Sequence, residues 1–346
     1  MKAVVVHAPG DLRVEEVPEP AVPADGVLVR IIYGGICGSD LHYAKDARNG
    51  PYTVTEPLTL GHEVVGVVER VAEGVQAPPV GTRVAVHPAT PTAPAGQSEP
   101  TGLHLRKGGT YLGSASTQPH TQGGLTGLLP VTAGQLRPLP DGLPLRRAVL
   151  AEPLAVALHG IARLGSRVQG ARALVSGAGP IGALAVAALK HAGAAHVTAA
   201  DLQTLPLQVA GKVGADTLIH LSAGESVPEE AFDVVVEAAG VLASLRTAIR
   251  AVRPGGAILQ LGILPAGDLP VPLADIVARE IALFGTQRFD IELDVAVQLL
   301  AADETLAAVV TDVFDINDAQ EAFARAADSS KSSKTVIRVS ADPEAL

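Results

Sequence analysis

The chain has 346 residues, 47% of them hydrophobic, and a formal net charge of −10, so it suits about two domains of ~100–200 residues with sizeable cores. The acidic balance, without any basic cluster, argues against binding to nucleic acid or to an anionic membrane surface. A single cysteine excludes an intrachain disulfide, and no apolar run approaches the ~18 residues of a membrane span, so we expect a cytoplasmic protein.

Residues 1 to about 150 predict a β-rich unit. Short apolar runs of strand length recur between Gly and Pro clusters, at 2–7, 26–33, 63–71, 83–87 and 128–131. The stretch 88–109 is rich in Pro, Thr, Ala and Gly and predicts a long loop. The pattern becomes helical at 145–165, and we expect the chain to enter a second domain there.

From 173 to 286, predicted strands and helices alternate. The strands lie at 173–176, 196–200, 216–220, 232–237, 257–261 and 281–285, and the helices at 180–191, 205–214, 242–252 and 272–280. This alternation implies a parallel sheet with right-handed crossovers. Two helical stretches, 293–302 and 316–326, and a strand at 334–339 follow. The predicted fold class is therefore α/β, with a doubly wound parallel sheet beside the β-rich unit.

The stretch from Ala173 to Asp201 carries a dinucleotide-binding signal. An apolar strand leads into the turn Gly177-Ala178-Gly179-Pro180-Ile181-Gly182, a helix follows, and the next strand ends at Asp201, 19 residues after Gly182. The glycines let the backbone approach a pyrophosphate, which the helix N-terminus attracts. Asp201 can accept hydrogen bonds from ribose hydroxyls and would repel a 2′-phosphate, so we predict NAD, with NADP as the alternative.

Cys37, His62, Glu63 and Glu152 form a second chemical set. A thiolate, an imidazole and carboxylates suit zinc, and a catalytic zinc takes three protein ligands and leaves one position open. Taken singly, each residue also fits a structural role: Cys37 as a small buried residue, His62 as a loop histidine, and Glu152 as a carboxylate at a helix start. Only their combination indicates a metal site.

These pieces, in this order, resemble the zinc-dependent medium-chain dehydrogenases, and within them the polyol branch. The matching stretches are 35–43, 61–66, 152–159, 177–182 and 237–240, and the stretches 111–124 and 285–290 are similar to those of L-idonate 5-dehydrogenases. The resemblance covers essentially the whole chain. It implies a GroES-like catalytic domain at 1–147, completed by 287–346, and a Rossmann nucleotide-binding domain at 148–286.

The resemblance also implies roles for individual residues at a catalytic centre. Cys37, His62 and a carboxylate would hold one zinc ion, and both Glu63 and Glu152 occupy candidate positions for that carboxylate. Ser39 and His42 would carry the substrate proton to solvent. Many relatives hold a second zinc with four cysteines, and the single cysteine excludes such a structural site here.

The implied reaction passes hydride from a secondary alcohol to NAD(P), with L-idonate oxidised to 5-ketogluconate. The nicotinamide end would lie along Ala238, Gly240 and Leu261. Tyr43 and Arg288 match pocket-lining positions, and the carboxylate of a sugar acid needs a cationic partner. The candidates for that partner are Arg288, Lys45, Arg48 and His120.

Two alternative functions remain at this point. The first is a sorbitol or xylitol type of polyol dehydrogenase, and the second is a nucleotide-binding sensor without catalysis. Members of the family that this chain resembles are commonly homodimers or homotetramers. The apolar strand at 281–285 is suited to extending a sheet across an interface.

Overall fold

A computed structural model of the chain describes residues 1–90, 102–106 and 108–343. Much of the predicted loop at 88–109 lies outside the described residues. Two sheets dominate the fold: a mixed sheet of seven strands and a parallel sheet of six. Among the described helices, none combines the length and the apolar character that a membrane crossing requires.

The strands before the nucleotide-binding stretch are β1 (Lys2–Ala8), β2 (Asp11–Glu16), β3 (Gly26–Gly35), β4 (Arg48–Asn49), β5 (Tyr52–Thr53), β6 (Leu58–Thr59), β7 (Glu63–Val71), β8 (Arg83–Val86), β9 (Ala89–Thr90), β10 (Thr110–Tyr111), β11 (Leu128–Thr132) and β12 (Leu136–Pro138). The later strands are β13 (Arg172–Ser176), β14 (His196–Asp201), β15 (Thr217–His220), β16 (Phe232–Glu237), β17 (Val252–Gln260), β18 (Ala282–Gly285), β19 (Val310–Asp315) and β20 (Lys334–Arg338).

The helices are α1 (Gly38–Asp46), α2 (Leu145–Ala148), α3 (Ala151–Ala162), α4 (Pro180–His191), α5 (Thr204–Lys212), α6 (Leu242–Ala251), α7 (Leu273–Ala278), α8 (Leu293–Ala302) and α9 (Ala319–Ala326). Short 3-10 segments lie at Leu103–Leu105, Ala133–Gln135, Gly165–Arg167, Leu221–Ala223, Glu304–Val309 and Ile316–Asp318.

The mixed sheet has the order β12-β8-β7-β3-β20-β19, and β11 also pairs with β3. Strand β3 lies inside this sheet and is buried along nearly its whole length, which explains why its sequence is an almost unbroken apolar run. Strands β19 and β20 come from the C-terminal end of the chain, so the chain returns to complete its first unit. This arrangement agrees with the predicted boundaries, which stay a prediction.

The second sheet has the order β15-β14-β13-β16-β17-β18, and its neighbouring strands are parallel. The strand order reverses between β13 and β16, and ligands of doubly wound folds bind beside such a switch point. The predicted α/β fold class with a doubly wound sheet is therefore confirmed. Strand β18 forms one edge of this sheet.

Several elements differ from the sequence-based expectation. Helix α1 and strands β2 and β19 were not predicted, because each is short and partly polar. Strand β17 begins at Val252 rather than at 257, since Pro254-Gly255-Gly256 is absorbed as an irregularity in its pairing with β16. The predicted helix at 316–326 begins as the 3-10 segment Ile316–Asp318 before α9.

Candidate metal centre and cofactor cleft

Three predicted metal ligands converge where β3 ends and β7 begins. Strand β3 pairs antiparallel with β7, with Gly35 opposite Glu63, so Cys37 just beyond β3 meets His62 just before β7. The ligand atoms of Cys37, His62 and Glu63 lie within 4.8 Å of one another. Thiolate, imidazole and carboxylate at this separation fit a zinc ion. We call these three residues, with Glu152, the metal corner.

Asp40, in the first turn of α1, joins the two segments of the metal corner. Its carboxylate accepts hydrogen bonds from the backbone N–H of Cys37 at 2.9 Å and of Gly61 at 3.2 Å. One of its oxygens lies 3.9 Å from Nδ1 of His62, and the side chain is fully buried. This carboxylate lies within ion-pair distance of the imidazole of a predicted ligand, a contact that spacing alone did not reveal.

Burial and charge act together on the groups of this corner. Burial raises the pKa of the Asp40 carboxyl, because an ion without water is disfavoured. Burial opposes the charged form of His62, yet the neighbouring charges of Asp40 and Cys37 hold the pKa of His62 well above its ordinary value. The negative charges around His62 therefore favour a positive charge at this position.

A buried lysine from the far end of the chain pairs with Glu63. Nζ of Lys334, the first residue of β20, lies 2.8 Å from each carboxylate oxygen of Glu63 and donates to the Ile36 carbonyl at 3.0 Å. Burial lowers the pKa of the Lys334 ammonium, but the charges of Glu63 and Cys37 outweigh it and raise that pKa. Gly35 leaves space for this carboxylate, since a Cβ there would collide with Glu63.

Glu152, in the first turn of α3, lies outside the convergent trio but close to it. Its Oε1 accepts a hydrogen bond of 2.6 Å from the hydroxyl of Tyr111, and both side chains are buried. Burial raises the pKa of Glu152, and the charge of Glu63 adds to that rise. The metal corner thus contains two carboxylates, each with its own partner, and the convergent geometry favours Glu63 as the ligand.

The predicted proton carriers lie on α1. Ser39 is half-buried beside Cys37, and His42 is exposed. Residues three apart share one face of a helix, so the two side chains lead from the metal corner towards solvent. Their position agrees with the predicted relay, which stays a prediction.

Arg288 is the predicted substrate residue that the fold brings to the corner. Its guanidinium carbon lies 3.8 Å from the centroid of the Tyr111 ring, and that ring lies 5.5 Å from the ring of His62. Arg288 is half-buried and has a φ of 50°, a left-handed backbone conformation that is uncommon without glycine. No sequence pattern singles out Tyr111, although it stands in the stretch 111–124.

The other substrate candidates occupy different surroundings. Tyr43 is only 2% exposed, and its hydroxyl accepts the Ala115 N–H at 3.1 Å, which favours a structural role. The ring nitrogens of His120 contact the Thr55 N–H and the Thr117 carbonyl, both at 2.9 Å, so the imidazole stabilises its own loop. The side chains of Lys45 and Arg48 are exposed.

The glycine turn joins β13 to α4 at the carboxyl edge of the parallel sheet. Gly182 packs so closely on the turn that a Cβ would collide with the Gly177 carbonyl, whereas Gly179 has open space before it. Pro180 and Ile181 begin α4, and their half-buried side chains flank the helix N-terminus. Oxygens of the Asp201 carboxylate accept from the Ala178 N–H at 2.7 Å and the Gln203 N–H at 2.8 Å.

The predicted nicotinamide positions lie farther along the same edge. Register pairs Ser176 with Glu237 and Glu237 with Gln260, so Ala238, Gly240 and Leu261 follow adjacent strand ends. The Glu237 carboxylate is fully buried and accepts the N–H groups of Ala239 at 2.9 Å and Gly240 at 3.0 Å. This carboxylate fixes the turn on which the nicotinamide would lie.

A further ion pair joins α3 to the segment that carries Arg288. Nδ1 of His159 lies 2.9 Å from Oε1 of Glu292, whose other oxygen accepts the Asp290 N–H at 2.8 Å. Burial acts to raise the pKa of Glu292, but these two partners outweigh it and bring that pKa to about 2. The pair therefore anchors the Arg288 segment beside α3.

Comparison with known proteins places these features in one family. A model of the alcohol dehydrogenase GroES-like domain matches residues 23–141, and a model of zinc-binding dehydrogenases matches residues 180–302. Sorbitol dehydrogenase from Gallus gallus is 34% identical over 337 residues, covering 93% of this chain and 92% of the relative. These matches confirm the predicted GroES-like and Rossmann folds.

Solved structures agree with the sequence relatives. L-idonate 5-dehydrogenase from Escherichia coli has a TM-score of 0.90 at 31% identity, covering 97% of each chain. A zinc-binding dehydrogenase from Sinorhizobium meliloti bound to NADP has a TM-score of 0.87 at 27% identity, covering 97% of this chain and 98% of the other.

Proposed function

Since the chain belongs to the zinc-dependent medium-chain dehydrogenases, we propose that it oxidises a secondary hydroxyl of a sugar acid, L-idonate to 5-ketogluconate, with NAD as the hydride acceptor. The broader activity follows from the family: the protein is a zinc- and NAD(P)-dependent alcohol or polyol dehydrogenase that acts on a CH–OH group. The substrate, the cofactor preference and the residue roles are the proposed part.

We assign a role in the proposed reaction to each residue of the site. Cys37, His62 and Glu63 would hold the zinc ion, and the bound ion would supply the positive charge that lowers the pKa of a substrate hydroxyl. Ser39 would accept the hydroxyl proton at its Oγ while giving up its own hydroxyl proton, and the exposed His42 would release a proton to solvent. The carboxyl edge of the parallel sheet positions the nicotinamide ring to receive the hydride.

The position of Arg288 carries the proposal of a sugar acid. Its guanidinium stacks on Tyr111 beside the metal corner, where a substrate carboxylate would find a planar donor of several N–H groups. The nearby ammonium of Lys334 is already held by Glu63. A neutral polyol would leave the charge of Arg288 unused.

A substrate panel tests this choice against the sorbitol type, which the likeness to sorbitol dehydrogenase favours. We expect kcat/KM to be higher for L-idonate than for sorbitol or xylitol, and Arg288→Gln to lower it about 10- to 100-fold for L-idonate alone, as for the loss of a charged hydrogen bond. Arg48→Gln, an exposed arginine, is the control. Faster oxidation of sorbitol, with equal effects of Arg288→Gln on both substrates, would establish the alternative.

Metal content separates the enzyme from the inactive sensor. The enzyme should hold about one zinc per chain, because three donors converge at one site. Elemental analysis of the purified protein measures this number directly. A zinc-free protein that still binds NAD would support the sensor.

We also propose that two copies join through the β18 edge. Exposed apolar side chains lie on this edge, at Leu283, and on α7 just before it, at Leu273 and Val277. Pairing of two such edges would continue the sheet and cover these side chains. Light scattering should give a dimer or a larger assembly of dimers, and Leu283→Lys with Val277→Asp should dissociate it.

A further inference from the structure

Tyr111 contacts three functional groups at once. Its hydroxyl donates to Glu152 at 2.6 Å, its ring lies 5.5 Å from the His62 ring, and the Arg288 guanidinium covers its face at 3.8 Å. The side chain is 7% exposed, so each contact is shielded from water. We propose that Tyr111 is a positioning residue with two separable roles: its hydroxyl restrains Glu152 so that a coordination position stays open, and its ring orients Arg288 towards the anionic end of the substrate.

The first role follows from the competition between two carboxylates. Glu63 belongs to the convergent ligand set, and Glu152 approaches the same corner from α3. A catalytic zinc requires a position that protein ligands leave free. The bond from Tyr111 occupies Oε1 of Glu152 and fixes the direction of its carboxylate, since a buried acceptor gives up such a donor only at considerable cost.

The second role follows from the stacking of Arg288. A long arginine side chain has many rotamers, and a desolvated aromatic face selects those that lie flat against it. The backbone at Arg288 is left-handed, with φ of 50°, and its guanidinium lies over the Tyr111 ring. This second role rests on the proposed sugar-acid activity, whereas the first does not.

Two substitutions at Tyr111 separate the roles. Tyr111→Phe keeps the ring and removes only the hydroxyl, whereas Tyr111→Leu removes both. Tyr33→Phe is the matched control, because the Tyr33 hydroxyl also donates to a carboxylate, Asp342 at 2.9 Å, in a buried tyrosine that is not part of the metal corner.

The hydroxyl is tested with the metal itself. In Tyr111→Phe, the released Glu152 should enter the open coordination position. Zinc should then be lost to a chelator about 10-fold more slowly, and the visible spectrum of the cobalt-substituted protein should shift. The kcat should fall about 10-fold, with KM nearly unchanged. Tyr33→Phe should match the wild type in all of these. The first role would be overturned if Tyr111→Phe had the same spectrum and zinc-loss rate as Tyr33→Phe. It would also be overturned if Tyr111→Phe lost zinc faster than the wild type.

The ring is tested with paired substrates. Tyr111→Leu should raise KM for L-idonate about 10-fold more than KM for sorbitol, whereas Tyr111→Phe should not change their ratio. Arg288→Gln should cause the same loss, and adding Tyr111→Leu to it should cause no further loss of that preference. Equal effects on both substrates, or additive losses, would overturn the second role. A wild type that oxidises sorbitol but not L-idonate refutes the proposed substrate instead, and leaves the metal measurements valid.

Discussion

The glycine turn and the metal corner differ in the chemical groups that form them. The turn offers backbone N–H groups and open space, and the carboxylate of Asp201 anchors it. The corner consists of buried side chains whose charges depend on one another, as in the pair of Glu63 and Lys334. A change in the turn should therefore act through shape and local hydrogen bonds. A change in the corner leaves a buried charge without its partner, which costs far more.

Loss of the thiolate should have the largest effect on activity, and that effect should be confined to the metal corner. Cys37→Ser replaces the one sulfur ligand with a hydroxyl that zinc binds weakly, so we expect zinc to be lost and kcat/KM to fall more than about 100-fold. Binding of NAD, measured by fluorescence titration, should remain. Turnover retained in the metal-free variant would refute the assigned mechanism.

Removal of the buried ammonium should destabilise the fold. Lys334→Met leaves Glu63 buried without a partner, so we expect a loss of about 3–5 kcal/mol in the metal-free protein, measured by denaturant unfolding, and a smaller loss with zinc bound. Because folding raises the Lys334 pKa, its contribution is complete below the ordinary lysine pKa and is lost as pH rises through the higher folded value. Lys331→Met, which breaks an exposed pair with Asp328, is the control and should cost little.

Asp201, which anchors the glycine turn, should influence the preference for NAD over NADP. Asp201→Asn removes the charge that opposes a 2′-phosphate, so we expect the ratio of kcat/KM for NAD over NADP to fall about 10-fold, with zinc content unchanged. Asp216→Asn, an aspartate beside β15 that pairs with Lys190, should leave the ratio unaltered. An unchanged ratio in Asp201→Asn would assign the discrimination to another residue.

The ion pair between α3 and the Arg288 segment should have the smallest effect. Glu292→Gln weakens a half-buried pair, so we expect a loss of about 1 kcal/mol near pH 7. Since the folded pKa of Glu292 is about 2, the contribution is present above the ordinary glutamate pKa and disappears as pH falls through about 2. The melting temperatures of the wild type and of Glu292→Gln should therefore differ less at pH 3 than at pH 7. Glu73→Gln, at an exposed glutamate, should show no such trend.

The same contrast explains what the sequence could predict. The glycine turn, its strands and Asp201 lie within one short stretch, so local spacing identifies them. Lys334 is 271 residues from Glu63, and no local pattern connects the two. Tyr111 has an unremarkable sequence setting, and only folding reveals its contacts with Glu152 and Arg288. Ligands are recognisable by residue type, whereas the groups that hold them depend on tertiary structure.

The placement of Glu152 and Arg288 has a mechanical consequence. Glu152 stands where the chain first passes from the mixed sheet towards the parallel one, and Arg288 stands just after β18, where it passes back. If the cleft closed around a cofactor, the backbone would turn at these two crossings. Atoms near such a turning point would travel least, so the coordinating groups would keep their spacing while the outer rims of the cleft moved through the larger arc.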